Sequence, residues 1–140
     1  MKKLLLITVV FSLFLVSCGS KTTKMERVNI RDWGVSFEIP TNMTEKGGSK
    51  IFDGFNDDFV TSYRNSDAII AISRVLVDSI NYDKESNDFT ETIINGLKCK
   101  YHTNDDSSFF CSFMTDTYEY NLVISKNLDP HQIMNSFKKE

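Results

Sequence analysis

Residues 97–124 read LKCKYHTNDDSSFFCSFMTDTYEYNLVI. Apolar side chains recur at every second position in three successive runs. Leu97, Cys99 and Tyr101 share one face of the first, and Phe109, Cys111 and Phe113 one face of the second. Tyr118, Tyr120, Leu122 and Ile124 share one face of the third. A period of two marks half-buried strands, and Asn, Asp and Thr between the runs supply turns. The expectation is a three-stranded antiparallel meander with one continuous apolar face. Opposed residues in a sheet point the same way, so matching the apolar faces restricts the register. A three- or five-residue loop around Asp105 pairs Leu97 with Phe113, Cys99 with Cys111, and Tyr101 with Phe109. A tight turn at Thr115-Asp116 then brings in the third strand.

Working outward, Ser86–Asn95 (SNDFTETIIN) reads as a short helix with a capping-box-like start at Asp88 and Glu91 and a stop at Asn95-Gly96. On the other side, Asp129-Pro130 is an N-cap followed by proline at the first helical position. Ile133, Met134 and Phe137 form the stripe of this closing helix, and Lys138-Lys139 suit its C-terminus. Earlier in the chain, Val28–Pro40 (VNIRDWGVSFEIP) reads as strand, turn, strand, with Val35, Phe37 and Ile39 alternating with polar residues. Short strands are expected within Lys50–Arg64. Ala68–Val77 (AIIAISRVLV), β-branched and nearly continuous, should be an interior strand.

The first residues carry an address. Met1-Lys2-Lys3 is cationic, and Leu4–Val16 is apolar apart from Thr8 and Ser12. Those residues rise roughly 20 Å as a helix, too short for a hydrocarbon core of about 30 Å. The segment reads as a signal peptide. It ends Leu15-Val16-Ser17-Cys18, which resembles the lipobox of bacterial lipoproteins. The resemblance implies cleavage between Ser17 and Cys18 and a lipid thioether on Cys18, whose thiolate is the nucleophile. Buried acyl CH₂ groups contribute about 0.8 kcal/mol each, so two or three chains on one residue hold a protein on a membrane. Residues 1–17 are thus a signal, 18–27 an acylated cysteine and tether, and 28–140 a single domain. The expected location is the cell envelope. Gly19 favours the outer membrane, on its periplasmic or surface face, if the source has one.

Composition limits the partners. Removing Lys2 and Lys3 from 16 basic residues leaves 14 against 19 acidic, a net charge of −5. No basic block stands out, which argues against nucleic acid. An envelope location is oxidising, so the register that opposes Cys99 and Cys111 suggests a cross-strand disulfide. Direct cross-strand bridges are geometrically demanding, and the alternative is two buried thiols packed as small hydrophobes.

The order is strands, a helix, a three-strand meander and a closing helix. It starts with the strand GVSFEIP (residues 34–40) and ends with the helix stretch IMNSF (residues 133–137). This resembles the PsbP-like superfamily. The resemblance implies an α+β fold, an antiparallel β-sheet with helices packed on it. It also implies a binding or assembly role rather than an enzymatic one. It carries over no functional residue.

Catalytic and metal chemistry find little support. His102 lies near both cysteines in sequence but on the opposite strand face, so a Cys–His pair is not expected. There is no CxxC or HExxH spacing for zinc, and neither DGFNDD (53–58) nor NDD (104–106) matches a calcium loop. No catalytic residue, metal or cofactor is implied. Phe110, Met114 and Val123 fall on the outer face of the meander beside Lys98 and Lys100. They are either core under helices or a docking patch. Trp33, beside the turn at Gly34, is a second candidate anchor. The leading expectation is a non-enzymatic envelope lipoprotein that binds an unidentified protein or assists assembly. The alternatives are a toxin-immunity lipoprotein, or a small-ligand carrier or hydrolase with a site near residues 42–58.

Overall fold

The computed structural model describes residues 23–48, 56–79, 89–104 and 108–140. The signal, Cys18 and tether residues 19–22 lie outside them, and the tether's end at Met25–Arg27 is already strand. Strands β1 (Met25–Asn29) and β2 (Val35–Pro40) form the expected N-terminal hairpin. The strand begins at Met25, earlier than Val28, because Met25 pairs with Pro40 and packs against the core. Arg31 and Gly34 take positive φ in the connecting turn, at 46° and 69°. β3 (Thr44–Glu45), β4 (Val60–Arg64) and β5 (Ile69–Leu76) follow, then β6 (Thr90–Ile94), β7 (Leu97–Asn104), β8 (Ser108–Met114) and β9 (Tyr118–Ser125). A single α-helix among the described residues, α1 (Pro130–Ser136), leads into β10 (Lys138–Lys139).

Two sheets result. One is β1-β2-β10, and the other is seven strands in the order β3-β4-β5-β9-β8-β7-β6, antiparallel throughout. β5 is interior, as its apolar run required. The inner face of the large sheet carries Ile70, Ile72, Tyr120, Leu122, Ile124, Phe109, Cys111 and Phe113, all buried. The small sheet and α1 cover that face. Phe113 stacks on Phe137 at 4.1 Å, Phe37 meets Tyr63 edge-on at 5.6 Å, and Ile133 and Met134 bury the helix. The closing helix has the predicted cap, with the Gln132 amide donating to Asp129 Oδ1 at 3.1 Å.

Several expectations are corrected. Within Ser86–Asn95, Thr90–Ile94 is strand, not helix. Asn95 and Gly96, both at positive φ (50° and 80°), form a two-residue hairpin turn into β7. That turn matches the twist of paired strands and fixes the pairing locally. The helix ends at Ser136, and Lys138-Lys139 pair with Ser36 and Val35 instead of extending it. The meander exists with the predicted faces, but each register is shifted by one residue per strand. Cys99 faces Phe113 and Cys111 faces Tyr101, so each thiol opposes an aromatic ring. Small against large fills the core more evenly than two thiols facing each other beside two facing rings. The turn between β8 and β9 is centred on Asp116-Thr117. There the Thr115 hydroxyl accepts from the Tyr118 amide at 2.9 Å, and the Thr115 amide donates to the Tyr118 carbonyl at 2.9 Å.

Candidate binding surface

The meander has a second face, turned away from the core. Strand pairing sets its side chains in rows. One row runs Ala71, Val123, Phe110, His102, the next Ser73, Asn121, Ser112, Lys100, Glu91, and the one after Val75, Glu119, Met114, Lys98, Ile93. Phe110, Met114 and Val123 are half-buried. They are therefore neither core nor fully solvated. α1 lies on the other face, and no described helix covers this one.

Phe110 sits in an aromatic group. Its ring is 5.4 Å from His102 and 6.0 Å from Phe89, and Phe89 meets His102 edge-on at 4.4 Å. Beside this ridge lies a groove of about 520 Å³. Ile93 and Met114 are its apolar walls, Ser112 lies on its floor, and Lys98, Lys100, Glu91 and Glu119 give it charge. Glu91 pairs with Lys100 at 3.4 Å, and the Ser112 hydroxyl donates to the Glu119 carboxylate. At the far end the same face is closed. Val60, Ser62, Ala71 and Ser73 are buried there, the Ser62 hydroxyl donates to the Gly47 carbonyl at 3.0 Å, and Arg64 reaches the Gly48 carbonyl at 3.2 Å. The open half is the half that carries Phe110 and Met114.

The other candidate residues are placed differently. Trp33 is not a surface anchor: it is buried, its carbonyl accepts the Tyr120 hydroxyl at 3.2 Å, and the Arg74 guanidinium lies 4.8 Å above its ring. The same guanidinium stands 4.7 Å from Tyr118 and 5.6 Å from Phe59, so cation–π contacts hold a charge at the core's rim. Cys99 and Cys111 are free and buried, with no disulfide between them. Burial pushes Cys99 up to about 11 and Cys111 well above its ordinary value. Both stay protonated at neutral pH and are poor nucleophiles. His102 lies on the outer face, away from them. Of the region 42–58, residues 49–55 lie outside the described residues, Met43 is buried, and Thr44–Glu45 is strand. A shallow polar depression beside Arg27 is internally satisfied, since Arg27 donates to Ser36 and to the Ser136 carbonyl at 3.0 Å and to Glu38 at 3.2 Å. Among the described residues, no group of three His, Cys, Asp or Glu side chains could hold a metal ion. Ile93 and Phe89 were missed as surface residues because their segment read as helix. The Asn-Gly dipeptide after Ile94 also fits a hairpin turn, and that reading is the signal that would have placed Ile93 on a strand.

A search of solved structures supplies the comparison for this geometry. The chain is similar to the solution structure of cyanobacterial PsbP (CyanoP) from Synechocystis sp. PCC 6803, with a TM-score of 0.52 and 11% identity. The match covers 90% of this chain and 99% of that one. The fold is PsbP-like. At this identity the likeness concerns the PsbP-like architecture alone. No family model matches the sequence, and no curated protein matches it.

Proposed function

We propose that this chain is a lipid-anchored, extracytoplasmic binding module that holds a protein partner on the open half of its outer sheet face. The observation that carries the reading is the half-buried pair Phe110 and Val123, with half-buried Met114 two rows away across a groove, on the half of the face that no described helix covers. Apolar surface of this kind, rimmed by charge, gains free energy when a partner removes it from water. The buried, protonated thiols and the satisfied polar clusters offer no activated nucleophile among the described residues. The PsbP-like fold supports an adaptor or assembly role by analogy. The anchor rests on Leu15-Val16-Ser17-Cys18 after an apolar segment.

The test is purification of the natively expressed chain from membranes in mild detergent. The reading expects acylated Cys18 at the N-terminus by mass spectrometry and one stoichiometric envelope protein alongside. The double variant Phe110→Asp, Met114→Asp keeps its fold and loses that protein. Retention of the partner by the variant, or no partner with the parent chain, overturns the reading.

A further inference from the structure

Among the described residues, β6 is the outer strand of the large sheet, and Thr90, Glu91, Thr92 and Ile93 are all exposed. Ile93 is 64% exposed, the largest exposure among the described large hydrophobic residues. The strand therefore stands clear of the core on both faces, anchored by Ile94 at its end. The Asn95-Gly96 turn fixes which backbone groups are free. Residues flanking a two-residue hairpin turn form a hydrogen-bonded pair, and such pairs alternate along an antiparallel ladder. Ile94–Leu97, Thr92–Cys99 and Thr90–Tyr101 are then bonded pairs. Glu91 and Ile93 oppose Lys100 and Lys98 without bonding to them. The N–H and C=O of Glu91 and Ile93 point outward from the sheet.

Such an edge is a template for another strand, and folded proteins usually blunt it with proline, bulges or charge. β6 has no proline and no glycine, and its one charge, Glu91, is paired with Lys100. The other edges differ. β3 and β10 have two residues each, and β1 carries Glu26 and Arg27. Lys98 sets the chemistry of an incoming strand. It stands between Ile93 and Met114, and it has no ion pair among the described residues.

We infer that β6 accepts an extended segment of a protein partner as an additional antiparallel strand. The segment bonds the outward backbone groups of Glu91 and Ile93, lays an apolar side chain against Ile93, and directs an acidic side chain to Lys98. This inference rests on the binding-module reading and names how the partner is gripped. Strand addition draws affinity from main-chain bonds and selectivity from alternate side chains.

The probe is a displayed library of random heptapeptides panned against the full chain in detergent. Enriched peptides should alternate polar and apolar residues and carry an acid. The best should protect the Glu91 and Ile93 amides from exchange. Glu91→Pro removes one outward N–H without touching a β6–β7 bond and should weaken binding at least tenfold, whereas Glu91→Ala should not. Lys98→Glu should weaken acidic peptides most. Should Glu91→Pro fail to fold, a peptide N-methylated at the residue facing Ile93 makes the same comparison on the parent chain. Four results overturn the inference: no alternating sequence enriched, protection elsewhere, binding unchanged by the proline or the N-methyl group, or concentration-dependent β6 protection without peptide, which assigns the edge to a second copy. If the inference fails while Phe110→Asp, Met114→Asp still loses its envelope partner, only strand addition falls.

Discussion

Phe113 and Phe137 stack at an interplanar angle of 13°, joining the meander to the residue that ends α1. Truncating either removes a fully buried ring and leaves a cavity. Phe113→Ala should cost about 3–5 kcal/mol, read as a lower urea midpoint. The thiols make a sharper test of register. With Cys99 against Phe113 and Cys111 against Tyr101, the register predicts that both stay reduced even under oxidising conditions. Alkylation under denaturing, non-reducing conditions should label both, and a thiol reagent should label neither in the folded protein. A mass showing them joined would contradict the register. Buried acids also set the alkaline limb of stability. Tyr63 is held neutral up to about 12 by burial and then by Glu45, and Cys99 up to about 11 by burial. The unfolded chain releases these protons near 10 and 9. Below about pH 9 their contribution is therefore constant, and stability falls as pH rises from there to about 12. Tyr63→Phe should reduce the drop above pH 10 in urea midpoints.

Among the elements, hairpin β6–β7 shows what the sequence reveals and where it misleads. Asn95-Gly96 terminates a helix or joins two strands, and five residues with two adjacent isoleucines do not separate the two by periodicity. The decision comes from tertiary pairing, since Lys98 and Lys100 on β7 supply a partner strand whose faces match. The prediction at this scale is Gly96→Ala. Gly96 holds φ at +80°, so a Cβ there costs about 1–2 kcal/mol in stability although open space surrounds it. Thermal melts should show the loss, and an unchanged melting temperature would argue against the turn. The faces of the meander were legible because they depend on parity alone. The register was not, because it depends on which side chains fill the space between strands and on the Thr115 hydroxyl that fixes the β8–β9 turn. The N-terminal hairpin, interior β5 and the capped closing helix were legible for local reasons: alternation, a β-branched run, and Asp129 before proline.

At the scale of the whole molecule, the chain closes on itself through its last residues. The Glu140 amide donates to the Gly34 carbonyl at 2.9 Å, the Ser36 hydroxyl donates to the Glu140 carboxylate, and Tyr120 ties Trp33 to the large sheet. That closure explains why Trp33, beside a turn in the sequence, is core. It also covers the inner side of the large sheet and leaves the half of the outer side that carries Phe110 and Met114 without a described helix over it. Phe110, Met114 and Val123 could be placed on that side from sequence. Whether it was covered could not be, because coverage depends on where α1 and the small sheet come to rest.

The most direct measurement is site-specific photo-cross-linking in living cells, with a photoreactive side chain placed in turn at Phe110, Met114 and Ile93, and at exposed Thr41 and Asp67 as controls. The account predicts one shared envelope-protein adduct from the first three positions and none from the controls. Adducts of equal yield from all five, or from the controls alone, would contradict it.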